Sequence, residues 1–259
     1  MKKIRTLIKL YNVPEENLKK SIEFILKNEF RELDIRIRKI VFSTENLAEI
    51  HIDGEDEEIV ANFIHNQYGA EYNISEIIEN KSYFGRIRKT DSVNFGLFVD
   101  IGAYMGEKKI DALYPLYEVR KQLVENRKIP LKKIIHSFGF IENLPLMFEV
   151  TEKQVIGRKL RVKLTKESLE WLLKPFKEEN EALIITGATT KMIKDSLKKT
   201  NHSQDIEVIE RIGFLEHRLI CKKNTRAEGI IPEIGYLLKE AKIAVQSPKR
   251  LKQLLSTSK

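Results

Sequence analysis

The side chains best suited to chemistry are aromatic and basic ones between Ser82 and Ile101. Phe95 and Phe98 stand close together, and Arg86 and Arg88 precede them. Exposed aromatic rings stack on nucleobases, and guanidinium groups bind phosphates. This combination indicates binding of single-stranded nucleic acid.

Two short alternating runs must position these side chains. The turn residues Thr90, Asp91 and Ser92 join them, so the pattern predicts a strand, a turn and a strand. In the second run, alternation directs Phe98 outward and the residues on the other face of the strand into a core. Those inward residues are Leu97, Val99 and Ile101. In the first run, Arg86 and Arg88 share the face opposite Ile87.

This segment resembles the S-one RNA-binding domain, a small OB barrel. Gly85-Arg86-Ile87 matches the family's first-strand step, and the run from Phe95 to Asp100 matches its Phe-Gly-x-Phe-Val-Asp pattern. Tyr114 stands where the family carries a histidine on its aromatic surface. The resemblance implies a barrel with an RNA-binding face. The family's Gly-Leu-Val-His-Ile-Ser motif is not preserved, and a helical stretch at 117–140 precedes the returning strands.

The predicted RNA-binding residues come from the strand pattern and from the S-one resemblance together. The stacking residues are Phe95, Phe98 and Tyr114, and the phosphate-binding residues are Arg86, Arg88 and Lys109. No catalytic residue, cofactor or metal ligand is predicted.

The rest of the chain predicts an α+β fold with three units. Residues 1–78 follow the order β-α-β-β-α, with a further strand near 70–75, and residues 165–259 follow β-α-β-β-α-β. Both orders are typical of ferredoxin-like units. The segment 79–164 between them holds the S-one-like OB barrel with a helical insertion.

Charge is distributed unevenly over the 259 residues, whose net charge is +8. Residues 1–78 contain 11 basic and 15 acidic residues, a net of −4. Residues 79–164 contain 17 and 10, a net of +7, and residues 165–259 contain 18 and 13, a net of +5. The positive excess therefore begins with the predicted barrel, and basic surfaces attract polyanions.

Other chemistries are less well supported by the sequence. The five histidines do not stand at metal-ligand spacing. The acidic run from Asp53 to Glu58 is better explained as a helix N-terminus. The loop at Gly187 lacks the phosphate-loop pattern, and Thr189 is predicted to cap a helix. Cys221, the single cysteine, is expected to be structural, although Lys222 and Lys223 beside it could lower its pKa.

The sequence therefore favours a non-enzymatic RNA-binding protein linked to translation or transcription. Its expected partners are single-stranded or structured RNA, with the ribosome or RNA polymerase as the associated assembly. A protein-docking module without direct RNA readout, or an RNA-processing enzyme with an unrecognised site, are the alternatives. The segments 213–217 and 224–232 resemble an uncharacterised archaeal family. A cytoplasmic location is expected, because no apolar stretch has the length of a membrane span or a signal peptide.

Overall fold

The computed structural model describes residues 1–88, 90 and 94–257, so Asp91 and Ser92 of the predicted turn lie outside it. The N-terminal unit consists of β1 (Lys2–Lys9), α1 (Glu15–Glu29), β2 (Arg36–Phe42), β3 (Leu47–Asp53) and α2 (Glu57–Tyr68). Its strands form an antiparallel sheet in the order β1-β3-β2. Leu18, Ile22 and Leu26 recur every four residues on α1 and are buried, which anchors the helix to the unit's core.

The strand predicted near 70–75 belongs to a different sheet from the one it follows. It is β4 (Tyr72–Asn73), and it pairs in parallel with β6 (Gly96–Met105). Gly102 permits this approach, because its φ is 76° and a Cβ there would lie 1.9 Å from the Ala70 carbonyl oxygen. The chain thus passes directly from the N-terminal unit into the barrel sheet.

The middle of the chain forms a closed five-stranded barrel. Its remaining elements are β5 (Ser82–Ile87), β7 (Lys108–Pro115), α3 (Leu116–Leu123), α4 (Leu131–Phe138), β8 (Pro145–Gln154), β9 (Lys159–Leu164) and the following helix α5 (Lys166–Glu178). The strands hydrogen-bond in the order β5-β6-β7-β9-β8, and β8 returns to β5. The β7–β9 pair is parallel and the others are antiparallel. The predicted helical insertion and returning strands are confirmed.

The barrel interior follows the predicted alternation. Leu97, Val99 and Ile101 of β6 are buried. Space inside is narrow, since a Cβ on Gly85 would lie 2.8 Å from Val99 Cγ1 and 2.9 Å from Phe148 Cδ2. Glycine in the first barrel strand is therefore a packing requirement.

The C-terminal unit consists of an antiparallel sheet and its connecting helices. Its elements are β10 (Ala182–Thr186), α6 (Thr190–Lys199), β11 (Ile206–Arg211), β12 (Glu216–Cys221), α7 (Ala227–Leu237), β13 (Lys242–Gln246) and the closing helix α8 (Pro248–Thr257). The antiparallel sheet has the order β11-β12-β10-β13. Thr189 caps α6 as predicted, with its hydroxyl accepting from the Met192 N–H at 3.2 Å. Helix α7 has Arg226 as its N-cap, and this residue provides no side-chain capping bond.

Helices from both sides of the 165 boundary share the barrel's core. Leu172 of α5 and Leu251 and Leu254 of α8 lie in the same buried cluster as Phe138 of α4. The division of the chain at 79 and 165 stays a prediction. In the described part of the chain, no helix is both long enough and apolar enough to cross a membrane.

Replacing Gly102 by alanine should destabilise the protein, because the new Cβ would collide with the Ala70 carbonyl at positive φ. We expect the free energy of unfolding to fall by about 3 kcal/mol, measured by urea denaturation. Gly106→Ala is the matched control, since Gly106 also has positive φ (61°) but a Cβ added there would meet no atom within 4 Å. The control should lose only about 1 kcal/mol. Equal losses would contradict the close-approach argument.

Candidate nucleic-acid interface

The outer face of β5, β6 and β7, together with the residues that flank these strands, carries most of the residues predicted to contact nucleic acid. The Arg88 N–H donates to the Phe98 carbonyl oxygen at 2.8 Å, and Phe98 pairs with Leu113 on β7. Phe98 is partly exposed, whereas Leu97 and Val99 on either side are buried. The outward direction predicted for Phe98 is confirmed.

Phe95, Phe98 and Arg88 form what we call the open end of this face. The two rings meet edge to face, with centroids 6.1 Å apart and planes at 87°. Phe95 is 56% exposed. Arg88 is partly exposed, and its Nε lies 3.8 Å from Asp111 Oδ2, which is near the outer limit of an ion pair. The open end therefore presents accessible rings beside a weakly paired guanidinium group.

Tyr117 is a further aromatic residue near the open end that sequence reasoning missed. The Leu116 N–H donates to the Phe95 carbonyl oxygen at 2.8 Å, which places the start of α3 beside Phe95. Tyr117 follows and is 56% exposed. Val119 and Leu123 of the same helix are buried. The position of Tyr117 off this apolar stripe was the signal in the sequence that its side chain would be exposed.

Arg86 is not available to a phosphate, and the exposure predicted for it is wrong. The side chain is only 3% exposed. Its Nη1 donates to Glu216 Oε1 at 2.7 Å and to the Asn143 carbonyl oxygen at 3.0 Å, and its Nε donates to the Leu7 carbonyl oxygen. These partners come from all three units, and their packing covers this end of the barrel face.

Tyr11 of the N-terminal unit completes this cluster, which we call the Arg86–Glu216 node. The Tyr11 hydroxyl donates to Glu216 Oε1 at 2.6 Å. Burial, followed by the charge of Glu216, raises the pKa of Tyr11, so the phenol stays a donor. Burial, the largest single effect, lowers the pKa of Arg86, but Glu216 together with Tyr11 and Asp100 raises it, and the net pKa is raised. The node is therefore a charged pair with a neutral hydrogen-bond donor.

Lys109 is likewise held by carboxylates. Its Nζ lies 2.7 Å from Asp100 Oδ2 and 2.6 Å from Glu45 Oε2, and 5.7 Å from the centre of the Tyr104 ring. Burial, the largest single effect, lowers the pKa of Lys109, but Asp100, Glu45 and Tyr104 together raise it, and the net pKa is raised. Glu45 belongs to the β2–β3 turn, so this contact joins the N-terminal unit to the barrel. Lys109 is charged, but its charge is already neutralised.

Tyr114 lies in the barrel interior and is fully buried, so its predicted place on the outer surface is wrong. It pairs with Leu97, whose side chain also points inward. Its hydroxyl donates to Gln122 Oε1 at 2.8 Å, and its ring packs against Phe148 with centroids 6.0 Å apart. Leu113, one residue earlier, takes the outward position beside Phe98.

The alternative chemistries weighed from the sequence are not favoured by the structure. Cys221 is buried, and burial raises the pKa of its thiol to about 12, contrary to the needs of a nucleophile. The N–H groups of Gly187 and Ala188 donate to the Leu215 carbonyl oxygen at 2.8 and 3.2 Å, so they do not form an open phosphate cradle.

The acidic run from Asp53 to Glu58 makes structural contacts. Asp53 accepts from Arg38 Nε at 2.8 Å, and Asp56 Oδ2 accepts from the Asp34 N–H at 2.8 Å. Among the residues that the structure describes, no group of three or more histidine, cysteine or acidic side chains could hold a metal ion.

Family models match along most of the chain. The DUF2110 N-terminal domain matches residues 3–73, the DUF2110 central domain matches 77–174, and the DUF2110 C-terminal domain matches 180–246. The chain belongs to the DUF2110 family. No curated protein matches its sequence. The S-one resemblance of the central DUF2110 segment stays a prediction.

Solved structures resemble parts of this DUF2110 chain. The uncharacterized protein MJ1198 from Methanocaldococcus jannaschii is 10% identical over 35% of this chain and 96% of its own, with a TM-score of 0.24. A chain of the a/eIF2alpha–aDim2p–rRNA complex from Pyrococcus horikoshii OT3 is 13% identical over 48% and 64%, with a TM-score of 0.26. The intact alpha subunit of aIF2 from Pyrococcus abyssi is 13% identical over 66% and 97%, with a TM-score of 0.24. Likeness at this level carries no functional inference.

Replacing Arg86 by methionine should strongly destabilise the protein, because Glu216 would remain buried without its cation. We expect a loss of about 3 kcal/mol or more in the free energy of unfolding, measured by urea denaturation. The Arg86→Met/Glu216→Gln double variant should lose less than the sum of the single variants.

Arg88→Met is the control for this experiment. It is the same substitution two residues along the chain, at a partly exposed arginine with a weak ion pair. Its effect should stay within about 0.5 kcal/mol. If the Arg86→Met variant were as stable as the wild-type protein, the node would not be what holds the units together.

Proposed function

We propose that this DUF2110 protein is a non-enzymatic RNA-binding protein that holds single-stranded RNA at the open end of its barrel. The observation that carries the proposal is the pair of exposed Phe95 and partly exposed Phe98 beside Arg88. Bases of any sequence stack on such rings, and a guanidinium group neutralises the adjoining phosphate. A link to translation or transcription machinery rests on the S-one resemblance of this segment.

The strand order supports an OB identity for the barrel. Counted from β5, the closed order is 1-2-3-5-4. OB folds bind oligonucleotides across strands 2 and 3 and the loop between strands 1 and 2. The equivalents here are β6, β7 and the segment between β5 and β6, where Phe95 and Phe98 lie. In the same way, the order β11-β12-β10-β13 with α6 and α7 supports a ferredoxin-like C-terminal unit.

Two stacked bases contribute on the order of 1–3 kcal/mol each, so further contacts are needed for tight binding. Helix α4 supplies cations at a suitable place. Lys132 and Lys133 are exposed, and neither has an ion-pair partner among the described residues. Lys132 shares a groove with Thr90, which follows β5. We propose that the RNA backbone continues from Arg88 toward α4.

A second candidate is protein docking at the same place. Phe95 and Tyr117 are exposed and Leu113 is partly exposed, and aromatic patches of this kind are enriched at protein interfaces. Salt dependence separates the two candidates, because release of counterions accompanies only the binding of a polyanion.

The double variant Phe95→Ala/Phe98→Ala tests the stacking surface. It should weaken binding of a fluorescein-labelled single-stranded RNA by about 2 kcal/mol, roughly 30-fold, in a fluorescence anisotropy titration. Phe24→Ala and Tyr236→Ala are controls, since both rings are about 70% exposed (69% and 70%) but lie on α1 and α7. Unchanged affinity in a folded double variant would reject the open end as the RNA-binding site.

Salt titration of the same complex tests the phosphate contact of Arg88. The logarithm of the association constant should fall linearly with the logarithm of salt concentration, and Arg88→Ala should reduce the slope by about 0.7. Arg88→Lys keeps the charge and should keep the slope. An RNA affinity that does not respond to salt would argue against phosphate binding here.

A further inference from the structure

A cavity of about 560 Å³ lies away from the open end, where the N-terminal unit, the barrel and the C-terminal unit meet. Residues from the end of α2, the starts of β5 and β8, and α5 line it, together with Ile212 of the C-terminal hairpin. Cavities of this size at the junction of units are a common form of small-molecule site. Its lining indicates what kind of ligand it suits.

The cavity has a rigid aromatic and apolar wall. Trp171 lines it, and the guanidinium carbon of Arg218 lies 3.8 Å from the centre of the Trp171 ring. The indole N–H donates to Glu210 Oε2 at 3.2 Å, which fixes the orientation of the ring. Phe84 and Leu146 add buried apolar surface. A fixed indole beside apolar side chains suits a flat ring.

Polar residues at the end of α2 also line the cavity. Neither the Asn66 nor the Gln67 carboxamide has a hydrogen-bond partner among the described residues. A carboxamide offers a donor and an acceptor side by side, which is the pattern that pairs with the edge of a nucleobase. His65 also lines the cavity, and burial lowers its pKa, so its neutral ring can both donate and accept.

The charge of the lining restricts the ligand further. Among the described lining residues there is no lysine or arginine, and the charged one is Glu167. Such a site offers no cation to a phosphate, so a phosphate attached to the ligand gains nothing there and has to lie outside the lining. We propose that this cavity binds an uncharged nitrogen heterocycle of the nucleobase class, either as a free nucleoside or as an unpaired base of an RNA chain.

The fluorescence of Trp171 reports on this site, because it is the only tryptophan in the chain. Adenosine, guanosine, cytidine and uridine are titrated separately, with saturation-transfer NMR of each nucleoside as a second readout. At least one should give saturable binding in both. Its 5′-monophosphate should bind no more tightly than the nucleoside itself.

The variant Asn66→Ala/Gln67→Ala should weaken nucleoside binding by about tenfold, as expected for the loss of two hydrogen bonds. Asn62→Ala is the matched control, since Asn62 is an exposed residue of the same helix and is not part of the cavity lining; it should leave affinity unchanged. The proposal is overturned if no nucleoside binds by either readout, if the double variant binds as wild type does, or if the monophosphate binds much more tightly.

The source of the base is decided by competition. A short single-stranded RNA is added to the nucleoside complex of the Phe95→Ala/Phe98→Ala variant, which removes the rings of the open end. Displacement of the nucleoside supports an RNA base as the ligand, and retention supports a free nucleoside. The nucleoside titration does not depend on the open end, so it can succeed where the proposed RNA-binding function fails.

Discussion

The buried Arg86–Glu216 pair is the interaction on which the arrangement of the three units depends. A buried charge is tolerated only when it is paired and its remaining donors are satisfied. Here the barrel supplies the cation and the C-terminal unit supplies the anion, while Leu7 and Tyr11 of the N-terminal unit supply an acceptor and a donor. Each unit satisfies polar groups of the others. Separating any one unit would therefore leave a charged or polar group of the node without its partner.

This arrangement divides the outer face of the barrel into two parts. The part nearest the node is covered, and the contact of Glu45 with Lys109 extends that cover from the N-terminal unit. The part beyond it remains open and holds Phe95 and Phe98. Net charge is therefore a poor guide to the interface, since cations that look free in the sequence are neutralised inside the molecule. The accessible rings are the feature that distinguishes the open part.

Local patterns predicted most elements and the direction of several side chains. Alternation on β6 correctly separated Phe98 from Leu97, because one face of that strand is uniformly apolar. Tyr114 was misplaced because a shift of one residue reverses every side chain on a strand, and only the pairing of β7 with β6 settles the register. The strand at Tyr72 was anticipated, but its partner in the barrel was not, since pairing across units leaves no local signal.

The sequence by itself determined the order of helices and strands, the inward and outward faces of β6, and the concentration of aromatic and basic residues around one hairpin. These are local properties, set by periodicity and by turn residues a few positions apart. Only the tertiary structure decided which of those side chains stay accessible. Arg86 meets its carboxylate partner 130 residues later in the chain, and such a contact depends on how whole units pack, which no short pattern encodes.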